Sequence, residues 1–234
     1  MTGPGINGNW GVFRMMARAW KRKGAIAAVL AGMAVGAAPA PAQTVGEPGT
    51  FDYYVLSLSW SPAFCAGRPA DKQPEQCRAT PRFGFIVHGL WPQHAKGGWP
   101  ERCSAERRIP QAVIDRTLPL MPSKGLILHE WLKHGTCSGK NPADYFADVA
   151  AARARVTLPP EAASATPPAP VTVEVLRDRL LAVNPGLTVQ GLALVCSGPR
   201  VAEVRLCLNR DLSFRACSPD VRTTCRRGAV LSGE

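Results

Sequence analysis

Three of the chain's four histidines fall in two short stretches, FIVHGLWPQ (residues 85–93) and HEWLKHGTC (residues 129–137). An imidazole has an ordinary pKa of about 6.5, so two of them facing one substrate can take a proton from an attacking oxygen and give one to a leaving oxygen. The first stretch offers His88 and the second His134. Lys133 and a protonated His129 add charge and donors suited to phosphate oxygens, and Glu130 can hold or tune a neighbouring imidazole. If the attacking group is a ribose 2′-hydroxyl, the substrate brings its own nucleophile, and RNA rather than DNA is the expected polymer.

HEWLKH is one residue longer than the H-E-x-x-H pattern of zinc proteases. That pattern needs histidines four residues apart, about 40° of helix rotation; here they are five apart, about 140°, with a lysine between them that repels a divalent cation. A zinc metallohydrolase is the poorer reading, and no metal or cofactor is expected. Projected on a helix, His129, Glu130, Lys133 and His134 share an arc of about 140°, with Leu128, Trp131 and Leu132 opposite, which predicts one chemical face and one core face. The competing reading is a solvated face on which Glu130 and His134 pair at i,i+4.

The elements that must position these groups follow from local pattern. YYVLSLSWSP (residues 53–62) alternates and stops at a proline, a strand; FGFIVHGLWPQ (residues 83–93) predicts a buried strand that delivers His88 at its end. Residues 66–81 read as a polar loop, and residues 94–103 as a Gly/Pro-containing one. SKGLILHEWLKHGTC predicts a helix stopped at Gly135, and a second helix is expected over residues 144–156 behind Asn141-Pro142. After an irregular Pro/Ala-rich connection, TVEVLRDRLLAVNPG predicts a third helix, and LTVQGLALVC with VAEVRLCL a hairpin turning at residues 197–200. Strands at both ends with helices between them indicate an α+β domain on a central antiparallel sheet.

Residues 1–42 read as an N-terminal extension and a signal peptide: basic residues, an apolar run from Gly24 to Ala38, then small residues. The run is shorter than the roughly 20 residues that span a bilayer, so no membrane association is expected once it is removed. This leaves a single domain over residues 43–234. The leader holds five basic residues and no acidic one, so the balance behind it falls from +11 to +6, compatible with a polyanionic partner or simply with an Arg-rich soluble chain. All eight cysteines lie behind the leader and none forms C-x-x-C, which indicates disulfides and an oxidising compartment, periplasmic or secreted.

In their order, behind a leader and with these cysteines, FIVHGLWPQ and HEWLKHGTC closely resemble the two active-site segments of the ribonuclease T2 family, in particular its bacterial, periplasmic members. The resemblance implies a monomeric endoribonuclease of low base specificity on a disulfide-stapled ribonuclease T2-like fold. His134 would be the base and His88 the acid, with Lys133 and Glu130 stabilising the transition state and His129 binding phosphate. Trp91 would stack on a base. Trp99 stands where a further aromatic is expected, as a substrate contact or a packing residue. It also implies the pairings Cys103–Cys137, Cys65–Cys77, and Cys196–Cys225 around Cys207–Cys217. Gln93 replaces an acidic residue, and Leu126, Ile127 and Leu128 occupy the place of an aromatic, so base preference stays open. The alternative is a catalytically silent RNA-binding or cytotoxic module on the same fold.

Overall fold

The computed structural model describes residues 44–233 apart from Gly67, Pro69, Gln73 and Pro168; the expected leader lies outside the described residues. The strands are β1 (Thr44–Val45), β2 (Tyr53–Trp60), β3 (Phe85–Gln93), β4 (Pro100–Glu101), β5 (Val171–Thr172), β6 (Leu192–Ser197), β7 (Arg200–Leu208) and β8 (Val230–Leu231). The helices are α1 (Ser61–Ala66), α2 (Pro74–Cys77), α3 (Gln111–Thr117), α4 (Lys124–Lys133), α5 (Pro142–Ala154) and α6 (Val173–Val183).

The main sheet runs β3-β2-β7-β8-β5, with β6 also paired to β7; its long pairings are antiparallel, and β7 meets β8 in parallel. Because side chains alternate along a strand, the sheet has two unlike faces. Leu56, Leu58 and Trp60 of β2, with Val87 and Leu90 of β3, pack with Ile127, Trp131, Tyr145 and Val149 of α4 and α5. The smaller cluster of Tyr53, Val55 and Cys207 borders Trp91.

β3 does not stop at His88. It keeps its pairing through Gly89, Leu90, Trp91 and Pro92 to Gln93, so His88 sits inside the strand. Pro92 is tolerated because β3 is at the edge of the sheet, where a missing N–H need not break a ladder. The register shifts between Ser57 and Leu58: Gly89 faces Ser57, Val87 faces Leu58, and His88 is the extra residue of a β-bulge.

α4 is capped by Ser123, whose side chain accepts from the Leu126 amide at 3.4 Å, and ends at Lys133. His134 is its C-cap, and a 3-10 turn follows over Gly135–Ser138. Gly135 is required for space and not for a left-handed stop: a Cβ there would lie 2.5 Å from the Trp131 ring and 2.9 Å from that of Tyr145. The predicted division of the helix also needs correction. Ile127, Glu130, Trp131 and His134 are buried while Leu128 is 41% exposed, so the inward arc lies about 100–200° from His129, not on the Leu128 side.

α5 is capped by Asn141 and α6 by Thr172, both through side-chain oxygens. The loop expected over 66–81 contains α2 and a short 3-10 turn, and the first part of the expected hairpin strand, Val189–Gly191, is a 3-10 turn. α3 has no counterpart in the sequence reading. Four disulfides form: Cys65–Cys77, Cys103–Cys137, Cys196–Cys225 and Cys207–Cys217. Among the described residues no helix is long and apolar enough to cross a membrane.

Candidate active site

The bulge decides where His88 points. In a regular strand, alternation counted back from Trp91 would turn the His88 side chain toward the Leu90 side; the extra residue lets His88 share the open face with Trp91. From the next element, α4 brings Glu130 against β3. A Cβ on Gly89 would lie 2.0 Å from Glu130 Oε2 and 2.3 Å from Trp91 Nε1, so the glycine is the gap through which those two groups meet. The Trp91 indole N–H donates to Glu130 Oε2 at 2.7 Å, and Glu130 Oε1 stands 3.7 Å from His88 Nε2.

His88, Trp91, Trp99, His129, Glu130, Lys133 and His134 all line one cavity of about 260 Å³. The Trp91 ring is 5.2 Å from that of His88, edge-on, and 5.3 Å from that of His134. His129 remains half exposed, and Lys133 reaches Glu101 at 3.9 Å. The Cys103–Cys137 bridge, with the Arg102 amide donating to the Lys133 carbonyl at 2.9 Å, stitches the loop after β4 to the end of α4. Trp99 lines the cavity, and its buried indole nitrogen has no partner among the described residues. Val55, Gln93, Asp220 and Val221 complete that end, and the last two come from a C-terminal loop that sequence reasoning did not connect with the site. A second cavity of about 630 Å³ shares His88 and His129 and is lined by Ser123 and Leu126.

The two principal histidines differ in proton affinity. Burial pulls His88 down, but its hydrogen bond to Glu203 and the charges of Glu130 and Glu203 outweigh that and hold it above its ordinary value. His134 is pushed well below its ordinary value by burial, then by Lys133, His129 and His88. Among the described residues its buried Nδ1 has no partner, and Glu130, which the competing solvated-face reading pairs with it at i,i+4, turns its carboxylate to Trp91 and His88 instead. Burial lifts Glu130 to about 7 against the opposing pull of His88, Trp91 and Lys133. His129 is lowered, by burial and then by Lys133. Among the described residues no three His, Cys, Asp or Glu side chains are grouped to hold a metal ion.

Sequence reasoning missed Glu203 and Arg205 on β7. Glu203 Oε1 lies 2.7 Å from His88 Nδ1, across 115 positions of chain, and Arg205 binds Glu203 Oε2 through Nε at 2.9 Å and Nη2 at 2.6 Å. The only local signal is an acidic and a basic residue two apart on an alternating strand, which reads equally well as solvent-facing.

Residues 51–217 match the profile of the Ribonuclease T2 family. A ribonuclease of Aeromonas hydrophila is 48% identical over 103 residues, covering 44% of this chain and 45% of that protein, so the chain spans about half the length of this relative. Ribonuclease DdI of Dictyostelium discoideum is 26% identical over 230 residues, 88% of this chain and 96% of that protein. An RNase-related protein from Calystegia sepium shares the fold with a TM-score of 0.61 at 23% identity, over 78% of this chain and 96% of that one.

Proposed function

The chain belongs to the ribonuclease T2 family, and from that premise we propose that it is an endoribonuclease that cleaves single-stranded RNA by metal-independent acid/base transesterification. The observation that carries this reading is the pair of histidines in one cavity whose surroundings push their proton affinities apart. His134, neutral near pH 7, takes the proton of the ribose 2′-hydroxyl. The 2′-oxygen forms its bond to phosphorus, the bond from phosphorus to the 5′-oxygen breaks, and protonated His88 delivers a proton to that leaving oxygen. In the second step the roles reverse: water opens the 2′,3′-cyclic phosphate to a 3′-phosphate.

Lys133 and His129 hold the phosphate oxygens. Glu130, with a pKa of about 7, is partly protonated at neutral pH and can donate to a phosphate oxygen as charge builds there. Trp91 and Trp99 contact the base on one side of the scissile phosphate, and the larger cavity, with Leu126 in its wall, takes the nucleoside on the other. Low base specificity, a monomeric state and no action on DNA belong to the same reading. The four disulfides support an oxidising compartment, periplasmic or extracellular.

The test is to incubate the purified protein with RNA and with a deoxy analogue, with and without EDTA, and to identify the ends formed. The expected result is EDTA-resistant cleavage of RNA alone, with cyclic phosphates preceding 3′-phosphates. Equal cleavage of the deoxy strand, or cleavage abolished by chelator, would sink the mechanism; RNA binding without turnover would point to the silent module.

A further inference from the structure

His88 and Glu203 do not sit on neighbouring strands. β2 lies between β3 and β7, and with neighbouring strands about 4.8 Å apart, the backbones that carry the two residues are about 10 Å apart. Their side chains meet only because the positions of β2 beneath them are small: Ser57 and Ser59 pair with Arg205 and Glu203 on one side and with Gly89 and Ile86 on the other. A larger residue at either serine would occupy the path from imidazole to carboxylate.

We propose that Glu203, held by Arg205, is the positioning residue for His88. The two carboxylate oxygens serve different partners, Oε1 meeting His88 Nδ1 at 2.7 Å while Oε2 receives both Nε and Nη2 of Arg205. An ionised carboxylate can only accept, so Nδ1 carries a hydrogen in every protonation state of the ring. The nitrogen that gains and loses the catalytic proton is then Nε2, which stands toward Glu130. Arg205 also lies 5.1 Å over the Trp91 ring, so one guanidinium braces both the residue that sets the acid and a wall of the cavity.

A plain ion pair between neighbours on one face of β7 would explain the contact of Glu203 with Arg205. It would not explain why the other oxygen is spent on an imidazole from a distant strand, or why the carboxylate is only 14% exposed. The charged and titratable groups around His88 are Glu203 and Arg205 from β7, His129, Glu130, Lys133 and His134 from α4 and its cap, and Arg68, which shares the larger cavity. Removing the charge of Glu203 leaves Glu130 as the carboxylate that supports the protonated ring.

This inference rests on His88 being the acid. The test compares Glu203→Gln and Glu203→Asp with the wild type in steady-state cleavage across pH and in an NMR titration of the His88 ring nitrogens. For Glu203→Gln we expect kcat to fall about 10- to 100-fold, as for other loss of an orienting partner, with KM little changed. The alkaline limb of the pH profile and the His88 titration should both move down, and Glu203→Asp should recover part of each. If Glu203→Gln retains wild-type kcat and an unmoved His88 titration, the inference is overturned. Should Glu203→Gln fail to fold, a folded Glu203→Asp with no change in either readout overturns it equally. A wild type without activity, or a fully active His88→Ala, would instead defeat the role of His88, while the NMR titration would still read its coupling to Glu203.

Discussion

His88 stands on a bulged strand with one carboxylate at 2.7 Å and another at 3.7 Å, and its imidazole is about one-third exposed. His134 closes a helix, is 5% exposed, has no partner for Nδ1 among the described residues, and feels Lys133 and then His129 most strongly among its charged neighbours. Both are buried enough to lose affinity for a proton; the carboxylates reverse that loss for one, and the cations deepen it for the other. One side chain thus yields two tools, and the difference lies in their surroundings. A base must be unprotonated and works above its pKa, while an acid must be protonated and works below its own. In the proposed mechanism His134, the base, is lowered and His88, the acid, is raised, so both hold the required form across a broad plateau, and kcat/KM should fall on the acid side as His134 protonates and on the alkaline side as His88 deprotonates.

The strongest way to break this contrast is to remove either ring. His88→Ala and His134→Ala should each lower kcat by roughly 10²–10⁴-fold, the range for one proton-transfer role; near-native turnover of either variant in a cleavage assay would dissolve the pairing. Next is the scaffold on the His134 side. Replacing Cys103 and Cys137 by serine should cost about 2–5 kcal/mol in urea unfolding, and because the sheet and not this bridge carries His88, the Glu203 contact should persist in NMR.

A sharper test removes one cation. Lys133→Gln should cost about 10²-fold in kcat as a charge on the phosphate is lost, and it should also move the acid limb of the profile upward because His134 is relieved of a repulsion; an unmoved acid limb would deny Lys133 its influence on the base. The smallest effect is expected for Gly89→Ala. Its methyl group must displace the Glu130 carboxylate from the Trp91 indole, a charge-assisted bond worth about 1.5–3 kcal/mol, so urea unfolding should show a loss of about that size, and kcat should fall as Glu130 leaves its place beside His88.

Much of the frame was readable from pattern. Alternation marked β2 and β7, and Asn141-Pro142 and Leu176, Leu180 marked α5 and α6, because these signals are local. The motif residues that line the cleft stand out as well, because three histidines fall in two compact motifs with Trp91; the helical run alone reads equally as a solvated face. What escaped depends on distant or negative features. Glu130 falls on the predicted chemical face, but its indole partner is not legible, because the two meet only through the missing side chain of Gly89. Glu203 reads as the outward residue of an alternating strand, because its partner is brought to it only by the order of the sheet. α3 is seven residues long and too short to show a period.

The bulge at His88 can be put as a matter of parity. In a regular strand, odd and even positions belong to opposite sides of the sheet, so two residues three apart can never look at the same substrate. His88 and Trp91 are three apart, and one uncounted residue cancels the difference: Val87 and Leu90 keep to the core while His88, Gly89 and Trp91 belong to the other side. The cleft therefore depends on a miscount as much as on any side chain. The same nine residues, paired with β2 in an unbroken count, would keep both His88 and Trp91 and turn one of them into the core, leaving both side chains in the chain but no place where they could meet.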